Sequence, residues 1–134
     1  MTDILDHLRE EVLLCDGAMG SRLQQADLDV EIDYLGQENC SEILNLSRPD
    51  IVREIQQGFV AAGADILLTN TFGGSEITLS EFDLQDRTFE INKIAAETSS
   101  DLIKQLIGVE VNSSSIAAIV EDISKKVREK NHEI

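Results

Sequence analysis

Gly63-Ala64-Asp65-Ile66-Leu67-Leu68-Thr69-Asn70-Thr71-Phe72-Gly73-Gly74 is the stretch on which the fold turns. A glycine placed to close a helix is followed at once by a short apolar run. The run stops in three uncharged hydrogen-bonding side chains, then an aromatic residue and a glycine pair. A buried parallel strand leaves a helix and enters a loop in this way. Upstream, Pro49 suits a first helical residue, with Ser47 as its candidate cap and Asp50 in the first turn. The spacing predicts a helix from Pro49 to about Ala62, with Ile51, Ile55, Phe59 and Ala62 as its apolar stripe.

The same unit precedes it. Val12-Leu13-Leu14-Cys15 is a second apolar run, and it stops at Asp16-Gly17. Before it, a short helix over residues 3–10 is predicted, with Thr2 or Asp3 as cap and Ile4, Leu5 and Leu8 on one face. After it, residues 18–25 form a helical turn with Met19 and Leu23 inside. Residues 26–40 read as an acidic loop whose length suggests function. Ser41 then caps a short turn over residues 42–46. Downstream, a short helix is expected over residues 75–82 and a break at Asp83. A long helix follows from Asp86 to about Leu106, buried through Phe89, Ala96, Leu102, Ile103 and Leu106 and closed by Gly108. Val109-Glu110-Val111 is weakly β-like. Ile116, Ile119, Ile123 and Val127 mark a last amphipathic helix to about Lys130. Strands alternating with helices predict an α/β fold with a parallel sheet and right-handed crossovers. The polar residues cluster just after each strand, at the edge where such folds bind ligands.

Among 134 residues, 42% are hydrophobic and 28% charged, the composition of a globular chain. A formal charge of -15 disfavours nucleic acid and anionic membranes as partners, and reads first as a solubilising acidic surface. No apolar run approaches the roughly 20 residues that span a bilayer. The first residues carry Asp3 and Asp6 rather than a basic leader, so a cytoplasmic location is expected. Asn39, Asn45 and Asn112 fit the glycosylation pattern by chance under that expectation. Cys15 and Cys40, the two cysteines, make neither a disulfide framework nor a CxxC pair.

Few residues can carry chemistry. In Asp16-Gly17-Ala18-Met19-Gly20 the glycines allow a sharp bend that exposes backbone N–H groups able to hold a carboxylate, while Asp16 can hold an ammonium. Equally, Asp16 can cap the turn that follows it. Neither a GxGxxG fingerprint nor a GxxxxGK phosphate loop is present. Thr69, Asn70 and Thr71 offer uncharged donors and acceptors suited to a small polar ligand, or to capping the strand end. Glu76 and Glu81 fit solvated acids. Cys15 fits a small core residue, and two thiols do not fill a tetrahedral zinc site. His7 and His132 belong to no paired-histidine motif, and no Ser/His/Asp set is readable.

Three ordered blocks nevertheless carry a family resemblance. They are Leu13-Leu14-Cys15-Asp16-Gly17-Ala18-Met19-Gly20-Ser21, then Leu44-Asn45-Leu46-Ser47-Arg48-Pro49-Asp50-Ile51-Val52, then Ala62 to Gly73. Together they closely resemble the homocysteine S-methyltransferase family, which includes the homocysteine-binding domain of cobalamin-dependent methionine synthase and betaine–homocysteine methyltransferase. The likeness continues through Leu84-Gln85-Asp86-Arg87 and Glu90-Ile91-Asn92 and covers residues 13–106.

The resemblance implies a zinc-bearing (β/α)₈ TIM barrel that transfers a methyl group to the homocysteine thiol and yields methionine. Zinc would hold the sulfur as a thiolate. Carried over by motif, Asp16, Gly17, Ala18, Met19 and Gly20, with Thr69, Asn70, Thr71 and Phe72, would bind substrate. Leu68 stands where some members carry Glu. The family's zinc-binding cysteines lie in later segments, including a Gly-Gly-Cys-Cys-Gly pair, and Cys15 and Cys40 do not match them. A complete barrel needs about 250 residues. Residues 1–107 are therefore expected to form the N-terminal portion of a truncated barrel, and residues 108–134 a divergent polar tail whose helix resembles the barrel's closing helix. On this reading no metal is bound by the chain alone, and homocysteine is a candidate ligand. The chain is expected to be inactive alone, and to self-associate or pair with a complementary chain. The alternatives are a subunit of a split methyltransferase and a non-catalytic binding or scaffold protein.

Overall fold

The computed structural model describes residues 4–107. The expected cap at Thr2 or Asp3, the closing Gly108, the β-like piece at 109–111 and the helix over 116–130 lie outside the described residues. Helix α1 spans Ile4–Glu10, α2 Met19–Gln25, α3 Leu44–Ser47, α4 Pro49–Ala61, α5 Glu76–Leu79 and α6 Thr88–Ile107. Single 3₁₀ turns lead into α3 (Ser41–Ile43), continue α5 (Ser80–Phe82) and lead into α6 (Gln85–Arg87).

The two predicted strands do lie side by side and parallel, but among the described residues they form one bridge, Cys15 to Ile66, rather than a sheet. Asp65 and Ile66 N–H both donate to Leu14 O (2.8 and 3.1 Å), and Asp16 N–H donates to Ile66 O (2.9 Å). Two aspartate side chains lengthen this short ladder. Leu14 N–H donates to Asp65 Oδ2 (2.9 Å), and Leu68 N–H donates to Asp16 Oδ2 (3.0 Å). Each carboxylate thus takes the place of a backbone acceptor at one end of the pair.

The expectation that both runs are buried is overturned. Val12 is 85% exposed, Leu14 and Leu68 are each 59% exposed, and Cys15 is exposed rather than a core residue. A parallel segment is buried only when layers cover both its faces, and among the described residues these two lack that cover. Helix α1 has no buried residue, so Ile4, Leu5 and Leu8 do not reach the core.

The core sits instead among the helices. Ile43 and Leu44 from the 41–47 turns, Val52 and Ile55 from α4, Leu79, and Ile91 from α6 are buried and packed together. Leu23 joins them from α2, with Met19 packed alongside, as its spacing predicts. Helix α4 begins at Pro49 as expected. Its N-cap is Arg48 rather than Ser47, whose hydroxyl donates to Asp33 O (2.5 Å) and Ile43 O (3.2 Å). Gly63 follows the helix at φ 103°, a conformation that favours glycine; Ala64 N–H still donates back to Phe59 O (3.0 Å), and the parallel pair begins at Asp65.

Helix α6 packs on α3 and α4 through Ile91, Ala95, Ser99 and Leu102, spaced four, four and three apart. Phe89 and Leu106, expected inside, point away and are 64% and 41% exposed. Close helix approach needs small residues at the contact, so Ala95 and Ser99 occupy the seam, and larger apolar residues off that stripe stay outside.

The 26–40 loop is pinned by an ion network rather than left free. Arg48 Nη1 donates to Asp33 Oδ1 (2.7 Å), and Arg48 Nη2 donates to Asp50 Oδ2 (2.9 Å). The hydrogen bond from Arg48 holds the carboxyls of Asp33 and Asp50 below the usual aspartate range. Asp33 Oδ2 also accepts from Asp29 N–H (2.8 Å), which folds the loop on itself. Its end, Cys40, is fully buried, and burial pushes that thiol's pKa up. Among the described residues no helix is long and apolar enough to cross a membrane.

Candidate functional site

Because the paired segments run parallel, both end at the same edge, and each runs directly into a candidate motif. The turn at residues 16–20 follows the first, and the turn at 69–74 follows the second. The Leu68 N–H to Asp16 Oδ2 bond joins the two motifs across 52 residues of chain. The other oxygen, Asp16 Oδ1, is buried and accepts no hydrogen bond among the described residues. A buried carboxylate oxygen without a partner is an unsatisfied acceptor.

The turn after Asp16 is tight against α4. A Cβ on Gly17 would lie 2.6 Å from Phe59 Cε1, so the ring closes over the backbone here. Gly17, Ala18 and Gly20 are exposed, and Met19 is half-buried at the start of α2. Ala18 is the N-cap of α2 and makes no side-chain capping bond. The cap that the residue types left open for Asp16 is thus directed to the neighbouring strand instead of to α2.

Residues 69–74 form two successive tight turns. Thr71 N–H donates to Thr69 O (2.8 Å), and Gly74 N–H donates to Thr71 O (3.0 Å). The hydroxyls of Thr69 and Thr71 lie 2.8 Å apart and pair with each other. Asn70 is 4% exposed. Its Nδ2 donates to Ser41 O (2.8 Å) and Asn45 Oδ1 (3.1 Å), while Asn45 Nδ2 donates back to Asn70 O (2.8 Å). Both amide hydrogens of Asn70 therefore hold the turn in place. Phe72, at the tip, is wholly exposed.

Four side chains that support this edge escaped the sequence reading. Buried Glu42 accepts from Gly73 N–H through Oε1 (2.6 Å) and from the Ser41 hydroxyl through Oε2 (3.3 Å). Asn45 makes the reciprocal pair just described. Asn92 Nδ2 donates to Gly74 O (2.7 Å) from α6. Gln56, fully buried in α4, donates from Nε2 to Leu68 O (3.0 Å) and Ser99 Oγ (2.8 Å), tying the second segment to both long helices. The available signal was polar residues set inside apolar stretches: Glu42 and Asn45 flank Ile43-Leu44, and Gln56 follows Ile55. Spacing alone does not say what such residues would touch.

No metal centre emerges from these groups. Exposed Cys15 and buried Cys40 are both free thiols, and no cluster of three or more His, Cys, Asp or Glu side chains placed to hold a metal occurs among the described residues. His7 lies on exposed α1 and pairs with Glu11 (3.4 Å).

A family model described as homocysteine S-methyltransferase matches residues 13–128. Over 92 residues, 69% of the chain, the sequence is 45% identical to a methionine synthase of Mycobacterium tuberculosis (strain ATCC 25618 / H37Rv). It is 41% identical over the same length to a methionine synthase of Mycobacterium leprae (strain TN). The matched part amounts to 8% of the length of each relative.

Proposed function

This chain belongs to the homocysteine S-methyltransferase family, and from that premise we propose that it forms part of an amino-acid site for homocysteine, the methyl acceptor in methionine synthesis. The paired segments would be the first two strands of a (β/α)₈ barrel, with α4 as the helix between them. One observation carries the reading: Asp16 holds the second motif through Leu68 N–H while its other oxygen stays buried and unpaired. In the bound state that oxygen would take the ligand's ammonium. The backbone of the Gly17–Gly20 turn and the Thr69 and Thr71 hydroxyls would be within the ligand's surroundings.

The zinc implied by the family activates the thiol when bound. The residues described do not fit it, since Cys15 and Cys40 are the only two cysteines and no third soft ligand is gathered with them. No catalytic step is therefore assigned to this chain's residues. The proposed role is binding and orientation, with metal ligands supplied by another polypeptide segment. Calorimetry with L-homocysteine under reducing conditions tests this. The expected result is weak saturable binding, with no stoichiometric zinc after dialysis and no methionine formed from supplied methyl donors. Retained zinc together with methionine formation overturns it, and so does a complete lack of homocysteine binding.

A further expectation concerns association. Val12, Leu14 and Leu68 lie exposed on the parallel pair, and among the described residues the pair has no neighbouring strand or cover, which leaves open edges and an apolar face. We propose that the chain self-associates or joins a chain bearing further strands. Light scattering should give a mass above 14.8 kDa that rises with concentration. A constant monomer mass at high concentration contradicts the self-associating form.

A further inference from the structure

The turn at residues 69–74 is not held by its own hydrogen bonds alone; side chains from three other elements grip it. From the 3₁₀ turn Ser41–Ile43, Glu42 reaches the Gly73 N–H at 2.6 Å, and the Ser41 carbonyl receives Asn70 Nδ2 at 2.8 Å. From α3, Asn45 closes the reciprocal amide pair with Asn70. From α6, Asn92 Nδ2 donates to both Gly74 O (2.7 Å) and Thr88 O (2.8 Å), so the far side of the turn is tied to the first turn of the long helix.

We infer that Glu42 is a positioning residue for the amino-acid site: with Asn45 and Asn92 it sets the aim of the 69–73 backbone toward the Asp16 edge, without touching the ligand itself. This rests on the homocysteine-site reading above. Three physical points support it. Glu42 is 5% exposed, and a buried carboxylate is costly unless its oxygens are satisfied. Here both oxygens are engaged, and one takes the backbone of the very turn that carries the candidate ligand groups. The fit is also close: a Cβ on Gly73 would come within 3.1 Å of three atoms of the Glu42 carboxyl group. Finally, the fully exposed Phe72 sits between Thr71 and Gly73, so no side-chain burial at the tip holds the turn, and the polar grips do so instead. A binding loop held in advance loses less ordering entropy when its ligand arrives, so loosening the grip weakens binding without removing any ligand contact.

The test uses the full chain and L-homocysteine as probe, with calorimetric affinity and Gly73 amide hydrogen exchange as separate readouts, well below each variant's unfolding midpoint. Glu42→Ala should weaken homocysteine binding about tenfold, at 1.4 kcal/mol per decade, and Gly73 N–H exchange should speed up by a similar factor. Glu42→Gln keeps an acceptor oxygen and should restore both to within about threefold of the parent. Gly73→Ala, which crowds the carboxyl group without burying a new polar atom, should give an intermediate loss, and it serves as the second probe should Glu42→Ala fail to fold. A folded Glu42→Ala with parental affinity, or a folded Gly73→Ala with parental affinity and exchange, overturns the positioning role while the site reading stands. If the parent chain itself binds no homocysteine, the site reading falls and takes the positioning role with it.

Discussion

Replacing Leu44 by alanine should lower the unfolding free energy by about 2–5 kcal/mol, the range for emptying a well-packed leucine site. Leu44 is fully buried, and it opens α3 where that turn meets α4 and α6. Its neighbours Ile43, Val52 and Ile91 are also almost wholly buried, so surrounding side chains have little room to collapse into the space. For a domain of this size the midpoint of thermal unfolding should fall by on the order of 10 °C or more, read by circular dichroism at 222 nm. The exposed Leu14 provides the contrast: Leu14→Ala should change stability by less than about 1 kcal/mol, because that side chain is already largely in water. Equal losses at the two positions would mean that the helical core described here is not the one that holds the chain together. Leu44 also bears on the site, since the next residue is Asn45, whose amide pairs with Asn70.

Asp16 should have the largest effect on ligand binding. Asp16→Asn keeps a carbonyl oxygen to accept from Leu68 N–H but removes the charge that would meet an ammonium group. Hydrogen bonds to charged groups contribute about 1.5–3 kcal/mol, so homocysteine affinity should fall by roughly 10- to 100-fold with little change in stability. Asp16→Ala should lose the same affinity and also stability, because the Leu68 N–H then loses its acceptor at the open end of the parallel pair. Calorimetry and thermal unfolding on the two variants separate these contributions. Parental affinity in Asp16→Asn would show that the carboxylate serves the fold alone. That outcome is the capping role its residue type equally allowed, transferred from the following turn to the neighbouring segment.

The candidate site was legible in the sequence to an uneven degree. Local rules located its two turns, because Asp16-Gly17 and Thr69-Asn70-Thr71 each end an apolar run, and a parallel arrangement brings such ends to one edge. Local rules also located α4, through Pro49 at its start and Gly63 just past its end. They misplaced the cap, since Ser47 has the right chemistry for it but turns its hydroxyl to Asp33 and Ile43. For α6 they succeeded in part, since Ala96 and Leu102 are buried as expected but Phe89 and Leu106 are not. Counting large apolar residues selects Phe89 and Leu106, whereas the packed seam runs through Ala95 and Ser99, whose small size lets α3 and α4 come close.

By itself the amino-acid sequence located the described helices to within a residue or two, the two apolar runs and the turns that end them, and, through three ordered blocks, the family. Those properties depend on dihedral preferences, capping chemistry and periodicity, all of which act over a few residues. Only the tertiary structure decided which polar groups meet: Asp16 with Leu68, Asn45 with Asn70, Glu42 with Gly73, and Gln56 with both Leu68 and Ser99. It also decided that Val12, Leu14 and Cys15 face outward. Hydrogen bonds of this kind join residues far apart in the chain, and burial depends on what else covers a face, so neither is encoded in any local pattern.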